Sequence, residues 1–310
     1  MMVDGTVPVT RAGYVALVGR PNAGKSSLLN QMVGQHLSIV TPKAQTTWQR
    51  VTGILTREDA QVIFLDTPGL LVAKDLFQRS MLGAALEALQ EGDVVLVVVD
   101  AGYPPSSQDR SRLESALSDV GAPIHIALNK MDVAPPEAVA AWEAWAERIP
   151  GARVHRVSAV TGEGIADLME ALVAGLPESP FLYPEDDVAS APVRFFVAEL
   201  VRETVFELYE QEIPYSVICG VEEFREGSDP LYIQVNVFVE RQSQKGIVIG
   251  AGGAAVRELG KAARAKIEHF LDQRVYLDLW VKPLKGWRKN RGHLGRLGFR
   301  VPEDDDTDGT

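Results

Sequence analysis

Short apolar runs rich in Val, Ile and Leu recur along the first 176 residues, at Tyr14 to Val18, Val62 to Leu65, Val94 to Val99, Ile124 to Leu128 and Val154 to Val157. Between them lie stretches with helical spacing of apolar positions: Lys25 to Val33, Leu76 to Gln90, Ser107 to Val120, Pro136 to Ile149 and Ile165 to Ala174. This alternation predicts a doubly wound sheet of mostly parallel strands. Val51 to Arg57 is joined to Gln61 to Leu65 through Glu58, Asp59 and Ala60 alone. That is too short for a helical crossover, so the pair predicts a hairpin and one antiparallel edge strand.

The pattern changes after residue 176. Residues 177–192 hold four prolines and four acidic residues with no basic one, the composition of a stiff exposed linker. Beyond it the spacing predicts a helix over Val193 to Tyr209 and strands over Tyr215 to Glu222 and Leu231 to Val239. A helix follows after Gly246, another covers Ala254 to Leu271, and a last strand covers Arg274 to Val281. We divide the chain into residues 1–176, the linker 177–192, a compact α+β domain over 193–285, and a C-terminal segment 286–310 that ends in an acidic tail.

Charge separates the parts further. The chain of 310 residues has a formal net charge of −11, yet residues 241–300 carry 14 Lys and Arg against four Asp and Glu. That reversal fits one region that does not meet a polyanion and one that does. The tail holds Glu303, Asp304, Asp305, Asp306 and Asp308 and reads as solubilising. The single cysteine, Cys219, has no partner for an intramolecular disulfide, no apolar run reaches the ~20 residues that cross a bilayer, and the N-terminus lacks signal-peptide character. A reducing, cytoplasmic setting is expected. The scattered histidines disfavour a zinc site.

Four motifs carry the chemistry. GRPNAGKS, residues 19–26, matches G-x-x-x-x-G-K-[ST] between a predicted strand and a predicted helix. There the amides of Asn22, Ala23, Gly24, Lys25 and Ser26, with Ser27 in the first helical turn, cradle phosphate oxygens. Lys25 reaches the β- and γ-phosphates and the Ser26 hydroxyl ligates Mg²⁺. DTPG, residues 66–69, ends a strand; Asp66 holds Mg²⁺ through a water, and the Gly69 amide meets the γ-phosphate. NKMD, residues 129–132, selects the base. Asn129 is expected at the carbonyl and N7 edge of guanine, the Lys130 stem over the ring, and Asp132 at the N1 and N2 hydrogens, which adenine lacks. Ser158 and Ala159 begin SAVTGEG, where the Ala159 amide is expected to meet guanine O6.

These motifs, in this order, resemble the translation-factor-related GTPases across the whole first domain. The resemblance implies that the loop before the hairpin is switch I and that Thr47 ligates Mg²⁺ in the GTP state. It also aligns Trp48 with a position where arginine is usual. Leu70, after DTPG, cannot orient a water, so slow intrinsic hydrolysis is expected. Asn22 resembles the asparagine that helps bind K⁺ in some related GTPases, which implies K⁺-stimulated turnover. The groups assigned to hydrolysis are thus Lys25, Asn22, Thr47 and Gly69, and those assigned to metal are Ser26, Thr47 and Asp66.

In the second domain Gly250, Ala251, Gly252 and Gly253 form a G-x-x-G turn between two helical segments, the signature by which KH domains clamp single-stranded backbone. Lys245, Arg257, Lys261 and Arg264 surround it as electrostatic supply. One GTPase domain followed by a KH domain ending in LDLWVKPLKGW resembles the bacterial Era family over nearly the full length. The fold so implied is a P-loop GTPase domain followed by a smaller type II KH domain. The function implied is a GTP/GDP switch with Mg²⁺ that binds the 3′ end of 16S ribosomal RNA and the 30S subunit during assembly. Peripheral association with the inner membrane is implied by the same resemblance, and a monomer suits a switch without an interface stripe. Two other readings stand beside it: an RNA-binding module in which GTP is structural, and a membrane or cell-cycle regulator.

Overall fold

The computed structural model describes residues 10–302; the acidic tail from Glu303 and the first nine residues lie outside them. The chain divides into two units. The first comprises residues up to Ser38, Thr47–Ala73 and Met81–Ser190; the second comprises Ile39–Thr46, Lys74–Ser80 and the chain from Ala191.

The first unit is built from β1 (Arg11–Val18), α1 (Lys25–Val33), β2 (Val51–Thr56), β3 (Ala60–Asp66), the part of α2 (Leu76–Glu91) from Met81 onward, β4 (Val94–Asp100), α3 (Ser107–Leu117), β5 (Ile124–Asn129), α4 (Pro136–Ala146), β6 (Arg153–Arg156) and α5 (Ile165–Gly175). The strand order is β2-β3-β1-β4-β5-β6, and only β2 runs antiparallel, paired with β3 from Val51↔Asp66 to Thr56↔Gln61. β4 reads VVLVVVD and is buried through Val99, because helices cover both faces of a parallel sheet. The proline-rich stretch does not run free. Gln61 accepts from the amides of Leu182 and Tyr183 and donates to the Tyr183 carbonyl, while the Ile54 amide donates to the Val188 carbonyl. A short acidic segment thereby lines the hairpin edge, which the composition alone does not reveal.

The second unit contains α6 (Val193–Leu208), α7 (Ile213–Ser216), β7 (Ile218–Arg225), β8 (Leu231–Val239), α8 (Gln242–Ile249), α9 (Ala254–Leu271), β9 (Val275–Pro283) and α10 (Arg291–Arg296). Its sheet has the order β7-β8-β9, antiparallel then parallel. In β8, Leu231, Ile233, Val235, Val237 and Val239 are buried in one cluster with residues of α6 and α9, so Tyr232, Gln234, Asn236 and Phe238 face the other way.

Three elements depart from the sequence pattern. Pro214 opens the short α7, which delays β7 to Ile218. α8 begins at Gln242 because the Gln244 side chain accepts from the Arg241 amide; Gly246 lies within the helix, not before it. The C-terminal segment is folded around Trp287, Leu294 and Phe299, all buried.

Candidate nucleotide and RNA sites

The loops after β1, β3 and β5 emerge at the carboxyl edge of the sheet, where open α/β folds bind ligands. Lys25 opens α1 behind Gly24, which has φ +91°. The Lys25 ammonium is buried and donates to the carbonyls of Arg20 (3.0 Å) and Gly19 (3.4 Å). Burial lowers its pKa to about 8, and the Asp66 carboxylate opposes that shift. Asp66 ends β3, fully buried; burial raises its pKa while Lys25 and the hydroxyls of Ser26 and Thr47 hold it down.

Ser26 Oγ donates to Asp66 Oδ2 at 2.8 Å and lies 2.9 Å from Thr47 Oγ1, so the three groups assigned to metal come together. Asp66 Oδ1 is buried with no hydrogen-bond partner. A carboxylate oxygen left bare among hydroxyls, beside a buried ammonium, fits a divalent cation and the phosphates it accompanies. Ser27 follows half-buried on α1, and Asn22 is exposed at the tip of the loop with φ +63°.

Gly69 and the phosphate loop are interlocked. A Cβ at Gly69 would stand 2.4 Å from the Pro21 nitrogen, so only glycine permits this approach. The next amide, Leu70, donates to the Gly19 carbonyl at 2.9 Å, and Leu70 is buried. Thr67, which the motif reading passed over, is fully buried and donates to the Leu17 carbonyl at 2.7 Å, pinning DTPG to β1. Trp48 is buried as well.

Asn129 is a brace between loops. Its Nδ2 donates to the Ala23 carbonyl and its Oδ1 accepts from the Ala159 amide, both at 3.0 Å. The sequence reading assigns the Ala159 amide to guanine O6; here that N–H donates to Asn129. Ser158 Oγ donates to Asp132 Oδ1 at 2.6 Å, which orients the base-reading carboxylate, itself at the surface. Lys130, at φ +69°, pairs with Asp100 at 2.6 Å.

In the second unit Gly250, Gly252 and Gly253 all have positive φ. A Cβ at Gly250 would meet Ala255 Cβ at 2.7 Å, whereas nothing lies within 4 Å of one at Gly252. Ala251 and Gly252 are exposed. Arg257, Lys261 and Arg264 are exposed on α9 at helical spacings of four and three, one stripe leading from the turn, and Lys245 is half-buried on α8. Arg257 also donates to the Gly252 carbonyl at 2.8 Å.

Ile39–Thr46, the stretch before Thr47, is held by α6. Lys43 Nζ donates to the carbonyls of Phe206 and Tyr209 at the helix C-terminus, both at 2.6 Å. Glu203 accepts from the Val40 amide at 3.2 Å, and the buried Arg202 donates to the Thr46 carbonyl at 2.5 Å. Lys266 of α9 pairs with the same Glu203 at 2.9 Å. The motifs did not show these contacts, because the donors and acceptors that tie residues 39–46 to α6 lie about 160 residues apart.

Comparisons with known proteins fall on the same residues. A family model described as "50S ribosome-binding GTPase" matches residues 14–130, and a KH domain model matches 212–288. GTPase Era of Carboxydothermus hydrogenoformans is 41% identical over 292 residues, covering 93% of this chain and 98% of that protein. GTPase Era of Halothermothrix orenii is 39% identical over 291 residues, covering 94% and 99%. A substituted Era from Aquifex aeolicus bound to GDP and AlF4⁻ superposes with TM-score 0.89 at 35% identity, covering 94% of this chain and 100% of that one. Era in complex with MgGDPNP and nucleotides 1506–1542 of 16S ribosomal RNA superposes with TM-score 0.90 at 34% identity and the same coverage.

Proposed function

The chain belongs to the GTPase Era family, and on that premise we propose that it is a GTP-hydrolysing switch whose nucleotide state governs RNA binding in small-subunit assembly. It hydrolyses GTP to GDP and phosphate, and its KH domain binds the 3′ end of 16S ribosomal RNA, the ligand of the related Era complex. The working compartment is the cytoplasm; among the described residues no helix is long and apolar enough to cross a membrane.

The attacking group is water, and no side-chain nucleophile is required. The phosphate loop and Lys25 hold the β- and γ-phosphates in place for in-line attack. Ser26, Thr47 and Asp66 are the residues that would hold Mg²⁺, which when bound supplies positive charge against the phosphate oxygens. Leu70 leaves the water without a side-chain orienter on that loop, and Asn22 is the residue to which we assign the recruitment of K⁺.

One observation carries the switch reading. Thr47, within reach of Ser26, directly follows Thr46, whose carbonyl is held by Arg202 of α6. A γ-phosphate that draws Thr47 inward therefore pulls on a segment anchored to α6, and Glu203 links α6 to α9, the helix that follows the G-x-x-G turn. Titration of a labelled oligonucleotide copying the 16S 3′ end, against protein loaded with a non-hydrolysable GTP analogue or with GDP, tests this. The GTP state should bind more tightly, and Arg202→Ala should shrink the difference. Equal affinities in the unsubstituted protein would overturn the coupling.

A further inference from the structure

The face of the β7-β8-β9 sheet turned away from the helices carries a stack of flat side chains. The Arg225 guanidinium lies 4.4 Å from the Tyr232 ring centroid, and Tyr232 stacks on Tyr276 with centroids 5.8 Å apart and planes 14° apart. These residues sit in register across the sheet, Arg225↔Tyr232 and Tyr232↔Tyr276. The row therefore runs from β7 through β8 to β9, one of the two edge strands. Tyr276 ends the stack with 58% of its surface exposed.

Four residues further along β9, about 13 Å at strand rise, Trp280 is 50% exposed. Lys282 Nζ stands 5.4 Å from its ring centroid. Asp278, between the two rings, accepts from Trp280 Nε1 at 2.8 Å and from the Tyr232 hydroxyl at 3.2 Å. The rings are thus set before any ligand arrives, which lowers the ordering cost of binding.

The charges select the partner. The carboxylates of this face are engaged: Asp278 by the two ring donors, Glu223 by Arg225, and Glu222 by Asn236. Among the described residues no ion pair includes Lys282, Lys285 or Lys289, and the latter two are exposed just beyond β9. Exposed rings at an open stack end, next to the exposed Lys285 and Lys289, match unpaired nucleobases with their phosphates. Leu279, on the opposite face of β9, packs against Gly260 of α9, so this surface is distinct from the G-x-x-G turn.

We propose that the Tyr276–Trp280 face is a second contact for single-stranded RNA. One unpaired base continues the stack on Tyr276, another covers Trp280, and Lys282, Lys285 and Lys289 meet the phosphates. The inference rests on the domain's reading as an RNA binder and adds a surface to it.

The test uses the full chain and a labelled, unstructured single-stranded RNA, with a 4-thiouridine copy for photocrosslinking. Tyr276→Ala and Trp280→Ala should each weaken binding about 5- to 100-fold, whereas Tyr276→Phe should retain it. Crosslinks on the unsubstituted protein should map to residues 275–282, a readout that survives if a variant folds poorly. Unchanged affinity in both alanine variants with no such crosslink, while Gly252→Asp abolishes binding, would overturn the second contact and leave the G-x-x-G turn alone. Failure of Gly252→Asp to matter as well would overturn the RNA reading beneath it.

Discussion

The two glycine-rich turns of this chain are built on opposite plans. The phosphate loop is hemmed in from three sides: Gly69 presses on Pro21, Asn129 braces Ala23, and Asp66 and Lys25 share a buried pocket. The G-x-x-G turn is shaped largely by its own backbone angles, and a Cβ added at its second variable position, Gly252, would meet nothing within 4 Å, although the Gly252 carbonyl accepts from Arg257. A site for a small, highly charged ligand is specified by its neighbours. A site for a flexible polymer is specified by local conformation and left open.

The sharpest way to break that contrast is to add one methyl group to each turn. Gly69→Ala drives a carbon into the backbone of the phosphate loop, and we expect a loss of about 2–3 kcal/mol of stability, seen as a lowered melting temperature together with weakened GTP binding. Gly252→Ala meets no neighbour and faces only the cost of positive φ, about 1–2 kcal/mol. Calorimetry of the two variants decides; equal losses would mean that surroundings do not distinguish the turns.

A smaller effect follows from Lys25. Its pKa is lowered to about 8 by burial, and phosphate must raise it again. The nucleotide-bound state therefore holds more protons above that point. GTP affinity should be flat below pH 8 and fall as pH rises through it, approaching tenfold per unit. A profile that stays flat from pH 7 to 9 would show that the ammonium is not buried without its ligand.

A further effect belongs to a pair that is part of neither turn. His125 and His155 lie 2.9 Å apart between Nδ1 and Nε2, and burial, His155 and Arg153 together lower the His125 pKa to about 4. A base whose folded pKa is depressed is protonated first in the unfolded chain. Stability should therefore decline as pH falls from 6.5 towards 4, and His125→Gln should flatten that limb in denaturant titrations.

The same contrast explains what was legible in the sequence. The central strand β4 announces itself as an unbroken apolar run because burial on both faces leaves it no polar position before Asp100, whereas the edge strand β6, RVHR, is mostly polar and exposed. The motifs are legible because each fits within a few consecutive residues. Gly246 resembles a helix boundary but lies within α8, exposed, where an added Cβ would meet no neighbour and no packing depends on it. α10 escaped notice because its cover, Trp287 and Phe299, lies outside its own short, glycine-bearing sequence. Thr67, the Asn129 brace and the α6 contacts of residues 39–46 are long-range, and no local pattern encodes them.

Asn129 spans the carbonyl of Ala23 and the amide of Ala159 with a single side chain. Recognition of the base and recognition of the phosphates are therefore not separable modules. An engineer who grafted a different base-reading loop onto this chain would also retune the loop that cradles phosphate. A lineage changing its nucleotide preference would meet the same obstacle. The amide works as a shared hinge pin, and any change of specificity must leave it seated.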